Sequence, residues 1–235
     1  MKFNTIFFIF IFFVSCKKET TIDKTKALPF YNSAAFTPEW IAESDDSYAT
    51  IHTIAPFQFT NQNSQNITNK DFRGKIYIAD FFFTTCPTIC PKMNKNLVDI
   101  QNTFPDRPDF GIASFTINPE YDTQTVLKAY AENYGVTNPN WHFMTGEKEA
   151  IYNLANIGFN LYAAQVDGAE GGFEHSGNFA LIDKEGYIRS RTDAFGNPKI
   201  YYKGVISQAE QFDADGESED ISALKEDILK LLENE

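Results

Sequence analysis

The chain has 235 residues, of which 43% are hydrophobic, and its 20 Lys and Arg against 32 Asp and Glu give a net charge of -12. This length suits one domain of ordinary size with a substantial core. The negative charge argues against nucleic acid or an anionic membrane surface as the main partner, because both attract basic proteins.

The N-terminus has the pattern of an export sequence. Lys2 carries a positive charge, and the apolar run over 6–14 is too short to span a bilayer but suits a signal-peptide core. Cys16 follows a small residue at the end of this run, which resembles the lipobox of bacterial lipoproteins. We therefore expect residues 1–16 to be a lipoprotein signal peptide ending at a lipidated Cys16, with an exported domain anchored to a bacterial membrane. The alternative is an uncleaved anchor with an incidental cysteine.

The next segments lead into the domain. Residues 17–35 are polar and without period, so we expect a flexible tether, followed by a single domain over 36–235. The stretch 45–54, which contains His52, is predicted as a short strand. Residues 57–68 predict a β-hairpin with a polar turn, because two apolar stretches flank Asn61-Gln-Asn-Ser64.

The central feature is a strand followed by a helix, with two cysteines where they meet. Residues 76–83 are apolar, aromatic and β-branched, as in a buried strand. The spacing of Met93, Leu97, Ile100 and Phe104 places them on one face of a helix. Cys86 and Cys90 are predicted to lie on the first turn of that helix, where residues four apart are neighbours.

This position has chemical consequences for the two cysteines. A helix N-terminus favours thiolate over thiol, and the thiolate is both the nucleophile and the metal ligand. With Cys16 set aside, Cys86 and Cys90 have only each other or a metal, in a compartment that permits disulfides. The pair could close into a disulfide, grip a soft metal ion, or be two buried structural cysteines.

The rest of the chain alternates strands and helices. We predict a strand at 110–117, a helix capped by Asp122 and ended by Gly135, a short strand at 141–146 and a helix over 151–161. An acidic, glycine-rich loop is predicted at 166–173, a hairpin at 179–189, an acidic loop at 207–220 and a final helix from Ile221. This order predicts an α/β domain with a mixed central sheet.

Several motifs together resemble the Sco/SenC copper-chaperone family. They are Asp71-Phe-Arg-Gly-Lys75, Cys86-Pro-Thr-Ile-Cys90-Pro, Asp122-Thr123, the segment 141–146, and Glu174-His175-Ser176 leading into Leu181-Ile-Asp183. The resemblance covers most of 56–195. It implies a thioredoxin-like fold, with a mixed central sheet flanked by helices and an additional N-terminal β-hairpin.

The resemblance also implies a site and a function. In the family two cysteines and a histidine bind one copper ion, which assigns these roles to Cys86, Cys90 and His175. Thiolates select Cu(I), and imidazole suits either oxidation state. The implied function is a membrane-tethered metallochaperone that delivers copper to the CuA-bearing subunit of cytochrome c oxidase or to another copper-accepting protein. The alternative for His175 is an ordinary loop histidine.

The second functional hypothesis is a thiol–disulfide oxidoreductase that reduces client cysteines. Cys86 would attack the client disulfide and Cys90 would resolve the mixed disulfide. Whether the protein is an enzyme stays open between these two hypotheses. A peroxidase is less favoured, because no arginine lies near Cys86 in the sequence to activate it.

Several other residues are candidates for a part in the metal or thiol site. His142 is expected to be structural, and neither it nor His52 matches a ligand position of the family. Met93 and Met144 are expected to pack in the core. Asn118 stands where many family members carry aspartate, so the site loses a carboxylate there. Asp80 precedes Cys86 by six residues in the apolar strand and is either a buried base for thiol exchange or a simple hydrogen-bonded acid.

Overall fold

The structure is a computed structural model and describes residues 22–24, 27–31, 37–193 and 195–234. The predicted signal peptide and Cys16 lie outside the described residues. Within the part that is described, no helix has both the length and the apolar content needed to cross a membrane.

The described residues form twelve strands and four α-helices. The strands are β1 (Gln58–Asn61), β2 (Asn66–Thr68), β3 (Ile76–Phe82), β4 (Phe110–Thr116), β5 (Trp141–Thr145), β6 (Ala163–Gln165), β7 (Phe173–His175), β8 (Asn178–Ile182), β9 (Ile188–Arg189), β10 (Arg191–Thr192), β11 (Pro198–Lys199) and β12 (Tyr202–Lys203). The helices are α1 (Cys90–Thr103), α2 (Gln124–Tyr134), α3 (Lys148–Asn153) and α4 (Ile221–Asn234). Shorter helical segments are Asp46–Thr50, Leu154–Gly158 and Glu170–Gly172.

An eight-stranded sheet forms the centre of the fold, in the order β12-β8-β3-β4-β5-β1-β2, with β9 paired to β8. Strand β3 is parallel to β4 and β4 to β5, whereas β3 pairs antiparallel with β8 and β1 with β5. The predicted mixed sheet and the N-terminal hairpin, β1–β2, are both confirmed. The parallel strands β3, β4 and β5 bring their C-terminal ends to one edge of the sheet.

Strand β3 lies in the middle of the sheet, between β8 and β4, and all seven of its residues are buried. Neighbouring side chains on it point to opposite faces. Phe82 stacks on Tyr130 of α2, and Phe81 stacks on Phe115 and meets Phe159 on the other face. The sheet therefore has a packed layer on both sides. The predicted inner face of α1 is confirmed, because Met93, Leu97 and Ile100 are completely buried and Phe104 nearly so.

The prediction of a strand over 45–54 is wrong. Asp46–Thr50 forms a 3-10 helix, and the side chain of Asp45 accepts a hydrogen bond of 2.9 Å from the N–H of Ser47. Such local side-chain bonds compete with strand pairing. Only Thr53 of this stretch makes a β-bridge, with Tyr187. The predicted loop over 166–173 is shorter than expected, because a 3-10 helix occupies Glu170–Gly172 within it and Phe173 already belongs to β7.

Part of the segment expected to be a tether packs against the domain. Leu28 and Phe30 are buried, and Phe30 exchanges backbone hydrogen bonds with Glu39. The guanidinium of Arg189 donates to the carbonyl of Leu28 at 2.6 Å and lies over the ring of Phe30. The folded part of the chain therefore includes residues before position 36.

Candidate metal centre

The loop between β3 and α1 carries both cysteines at the C-terminal edge of the sheet. Helix α1 begins at Cys90, so the prediction that Cys86 also lies on the first helical turn is wrong. The residue before a proline is disfavoured in the helical conformation, and Pro87 follows Cys86. The two residues still meet, because the N–H of Cys90 points at the Sγ of Cys86 at 3.4 Å. Both are free thiols.

His175 reaches the cysteines from the hairpin formed by β6 and β7. Its Nε2 lies 3.0 Å from the Sγ of Cys90, and its Nδ1 lies 3.0 Å from the carbonyl oxygen of Ser176. A carbonyl only accepts, so Nδ1 carries a proton and, in the neutral ring, the lone pair of Nε2 faces the sulfurs. The ligand atoms of Cys86, Cys90 and His175 lie within 4.8 Å of one another. All three predicted ligands are thus brought together.

Glycine allows this hairpin to approach the cysteine loop closely. Gly171 has a φ of 78°, and a Cβ built there would lie 2.7 Å from a ring carbon of Phe83. Phe83 in turn meets the rings of Phe173 and His175 at 5.2 and 6.0 Å between centroids. A side chain at position 171 would therefore push on the ring that supports the histidine.

A cavity of about 310 Å³ opens onto Cys86 and His175, whereas Cys90 lies completely buried behind them. Its walls are mainly apolar and aromatic, with two glutamates at the rim. They comprise Phe83, Thr88, Ile89, Tyr162, Ala169, Glu170, Phe173 and Glu174. No arginine lines it among the described residues, which gives the peroxidase hypothesis no support.

The two thiols differ in acidity. The pKa of Cys86 is lowered to about 3, chiefly by the hydrogen bond that the Cys90 side chain donates to it, with further contributions from the backbone N–H groups of Cys90 and Thr88, and against the opposing effect of burial. Burial raises the pKa of Cys90 well above its usual value, and its bond to Cys86 raises it further. The metal-free site therefore holds one thiolate and one proton between two sulfurs.

Asp80 lies completely buried on β3. Its Oδ1 accepts a hydrogen bond of 2.5 Å from the hydroxyl of Ser114, which itself accepts from the indole N–H of Trp141 at 3.1 Å. Its Oδ2 has no hydrogen-bond partner in the described part of the chain. Burial raises the pKa of Asp80 to about 7. Both features expected of it, burial and a hydrogen bond, are present.

Asp122 has a different place from the one predicted. Thr123, not Asp122, caps α2 by accepting from the N–H of Val126. Asp122 turns inward, where it accepts hydrogen bonds from the N–H of Thr84 at 3.1 Å and from the hydroxyls of Thr84 and Thr116. This contact has no local signal in the sequence, because 38 residues separate Asp122 from Thr84.

The remaining candidates lie apart from the cluster. The Nδ1 of His142 accepts a hydrogen bond of 3.1 Å from the side-chain amide of Asn61, and His52 faces the carbonyl of Gly158 at 3.4 Å. Met93 and Met144 are completely buried in the core, as expected. Among the described residues, Cys86, Cys90 and His175 are the one group that could hold a metal ion.

A mixed α/β domain with two cysteines after its central strand and a histidine facing them defines a thioredoxin-like protein built for thiol chemistry or for a soft metal. The family model described as SCO1/SenC matches residues 45–210, and the chain belongs to that family. The expected fold is confirmed by likeness to BsSco, a solved member of the Sco family of cytochrome c oxidase assembly proteins, in which a disulfide switch was identified. The two share 29% identity with a TM-score of 0.59, over 78% of this chain and 95% of that one.

Two further proteins are similar to this chain in sequence. It is 32% identical over 158 residues to the SCO1 protein homolog of Bacillus subtilis, which covers 66% of this chain and 80% of that protein. It is 27% identical over 144 residues to a putative copper-binding protein of Stutzerimonas stutzeri, over 60% of this chain and 69% of that protein.

Proposed function

We propose that this protein is a copper metallochaperone that binds one copper ion through Cys86, Cys90 and His175. The observation that carries the proposal is the convergence of two sulfurs and one imidazole nitrogen within 4.8 Å. Two thiolates favour Cu(I), and imidazole is compatible with Cu(I) and Cu(II). The similarity to a copper-binding protein and to a cytochrome c oxidase assembly protein supports the same function.

The chain's own residues supply the site in distinct ways. Cys86 offers a ready thiolate, and Cys90 must release its proton on binding, which makes loading pH-dependent. The bond from Nδ1 of His175 to the carbonyl of Ser176 fixes the ring with Nε2 towards the sulfurs. A site with only three ligands would stay accessible from the cavity. An acceptor protein could approach from that side, and its own ligands could replace Cys86, Cys90 and His175 one at a time.

We further propose that the acceptor is the CuA-bearing subunit of cytochrome c oxidase or another copper-accepting protein outside the cytoplasm. The sequence pattern up to Cys16 supports a lipid anchor, which would raise the local concentration near a membrane-bound client. The test mixes the copper-loaded protein with a metal-free CuA domain and follows the copper spectroscopically. Transfer that fails although the copper stays exchangeable to small thiols would contradict this client.

A second candidate function, thiol–disulfide exchange, is favoured by the low pKa of Cys86. Its thiolate would attack a client disulfide and release one client thiolate. Cys90 would then pass its proton to Nε2 of His175, attack Cys86, and release the second client thiolate while the pair becomes a disulfide. Reduction of a disulfide-bonded client peptide, lost in Cys86→Ser and Cys90→Ser variants, would establish this role.

A further inference from the structure

We propose that Asp122 is a positioning residue for the metal centre, which holds the Cys86 loop in place through Thr84. The inference rests on the proposed function, because it concerns the geometry of the same three ligands. Asp122 touches none of the three ligands itself, so its effect on them must pass through the loop.

Three segments meet at the carboxylate of Asp122. Thr84 belongs to the loop after β3, Thr116 ends β4, and Thr123 next to Asp122 opens α2. The carboxylate is completely buried, and all three of its hydrogen bonds come from donors on the first two segments. Burial raises the pKa of Asp122, and the hydrogen bonds from Thr84 and Thr116 oppose that rise. Breaking any of these bonds would leave a buried polar atom without a partner, which makes this a firm junction.

The junction fixes the residue two positions before Cys86. Thr84 is bound through both its backbone N–H and its hydroxyl, so it can neither rotate nor shift without breaking a bond to Asp122. Between Thr84 and the helix, the N–H of Cys86 donates to the carbonyl of Phe83 at 3.2 Å. The position of the Cys86 sulfur therefore depends on an anchor outside the ligand set.

Loss of the anchor should weaken the site without removing a ligand. A loop free to move must be ordered again when the metal binds, and that cost lowers the affinity. The same freedom should expose the N–H groups of Thr84 and Cys86 to hydrogen exchange with solvent. Copper affinity and the protection of these N–H groups should thus change together.

The experiment compares five variants of the full chain in the reduced state. Asp122→Ala removes the anchor and Thr84→Val removes one hydroxyl bond to it. Asp122→Asn and Thr84→Ser keep the bonding pattern, because an amide oxygen still accepts from the N–H of Thr84 while its NH₂ can donate to the Thr84 hydroxyl. The control is Asp183→Asn at the opposite end of the sheet. Asp183 is also completely buried; it accepts from three N–H groups in the β8–β9 turn and from the guanidinium of Arg189, so its loss should cost stability far from the metal centre.

Copper affinity, the charge-transfer spectrum of bound copper and the hydrogen exchange of the Thr84 and Cys86 N–H groups in the metal-free protein are measured beside thermal stability. We expect Asp122→Ala and Thr84→Val to lose about tenfold in affinity, a difference that competition assays resolve, with altered spectra and faster exchange at both N–H groups. Asp122→Asn and Thr84→Ser should resemble the natural protein, and Asp183→Asn should change stability alone.

If Asp122→Ala and Thr84→Val lose stability while affinity, spectrum and local exchange stay unchanged, the proposal is overturned. If the natural protein binds no copper, the proposed function fails, and the exchange of the Thr84 and Cys86 N–H groups still tests the anchoring of the loop by Asp122.

Discussion

The acidity of Cys86 gives a direct prediction about its reactivity with iodoacetamide. With a pKa of about 3, Cys86 is a thiolate at every pH from 5 to 9. An ordinary cysteine with a pKa near 8.5 changes its thiolate fraction by about a thousandfold over that range. The alkylation rate of Cys86 should therefore be nearly flat with pH.

The absolute rate should not be high. Thiolate nucleophilicity falls with pKa at a Brønsted slope of about 0.4–0.5, so a decrease of about six units costs roughly 250- to 1000-fold. At pH 7 this outweighs the gain from complete ionisation, which is about a hundredfold over a thiol of pKa 9. The flat profile, not speed, is the expected signature.

The assay follows alkylation of Cys86 by peptide mass spectrometry in the reduced, metal-free protein. The matched variant is Cys90→Ala, which removes the largest contribution to the lowered pKa. Its profile should rise with pH into the ordinary range. A natural protein whose rate rises tenfold per pH unit up to pH 8 would refute the reasoning, and a variant with an unchanged flat profile would refute the assigned cause.

Three further predictions concern stability. Asp80→Asn should raise the free energy of unfolding at pH 8 by roughly 4 kcal/mol, because the pKa of Asp80 rises from 3.8 unfolded to about 7 folded. Below pH 4 the buried Asp80 is neutral and does not lower the free energy of unfolding, and the penalty grows as the pH rises through 7. Urea titrations at pH 4 should therefore show no gain of the variant over the natural protein. Gly171→Ala should lower both stability and copper affinity, whereas Gly168→Ala, with a φ of 86° and open space around it, should cost only about 1–2 kcal/mol of backbone strain and leave affinity unchanged. Truncation past Phe30 should lower the melting temperature, because it removes the buried Leu28 and Phe30 at about 1.5–3 kcal/mol each; equal melting temperatures would contradict this packing.

The elements that the sequence predicted well are those with a clear hydrophobic period. Strand β3 and helix α1 carry continuous or regularly spaced apolar residues, and their burial follows from local pattern alone. The ligand set followed from motifs, because Cys86, Cys90 and His175 stand in the contexts that the resemblance supplied.

Two of the failures depend on contacts made through the fold, and one depends on a local hydrogen bond that competes with strand pairing. Asp122 has the sequence context of a helix cap because it precedes a helix. Only the folded structure shows that Thr84 and Thr116 donate hydrogen bonds to its carboxylate. The strand expected over 45–54 was displaced by a local bond from Asp45. Leu28 and Phe30 lie in a polar segment without period, so only packing against Arg189 reveals that they belong to the domain.

Copper binding by the reduced protein, measured beside a His175→Ala variant, tests the central claim most directly. The natural protein should bind one copper tightly, and the variant should lose at least about tenfold in affinity, because it removes one of three ligands while both sulfurs stay in place. Copper held loosely, or held equally well by both proteins, would contradict a site made by Cys86, Cys90 and His175.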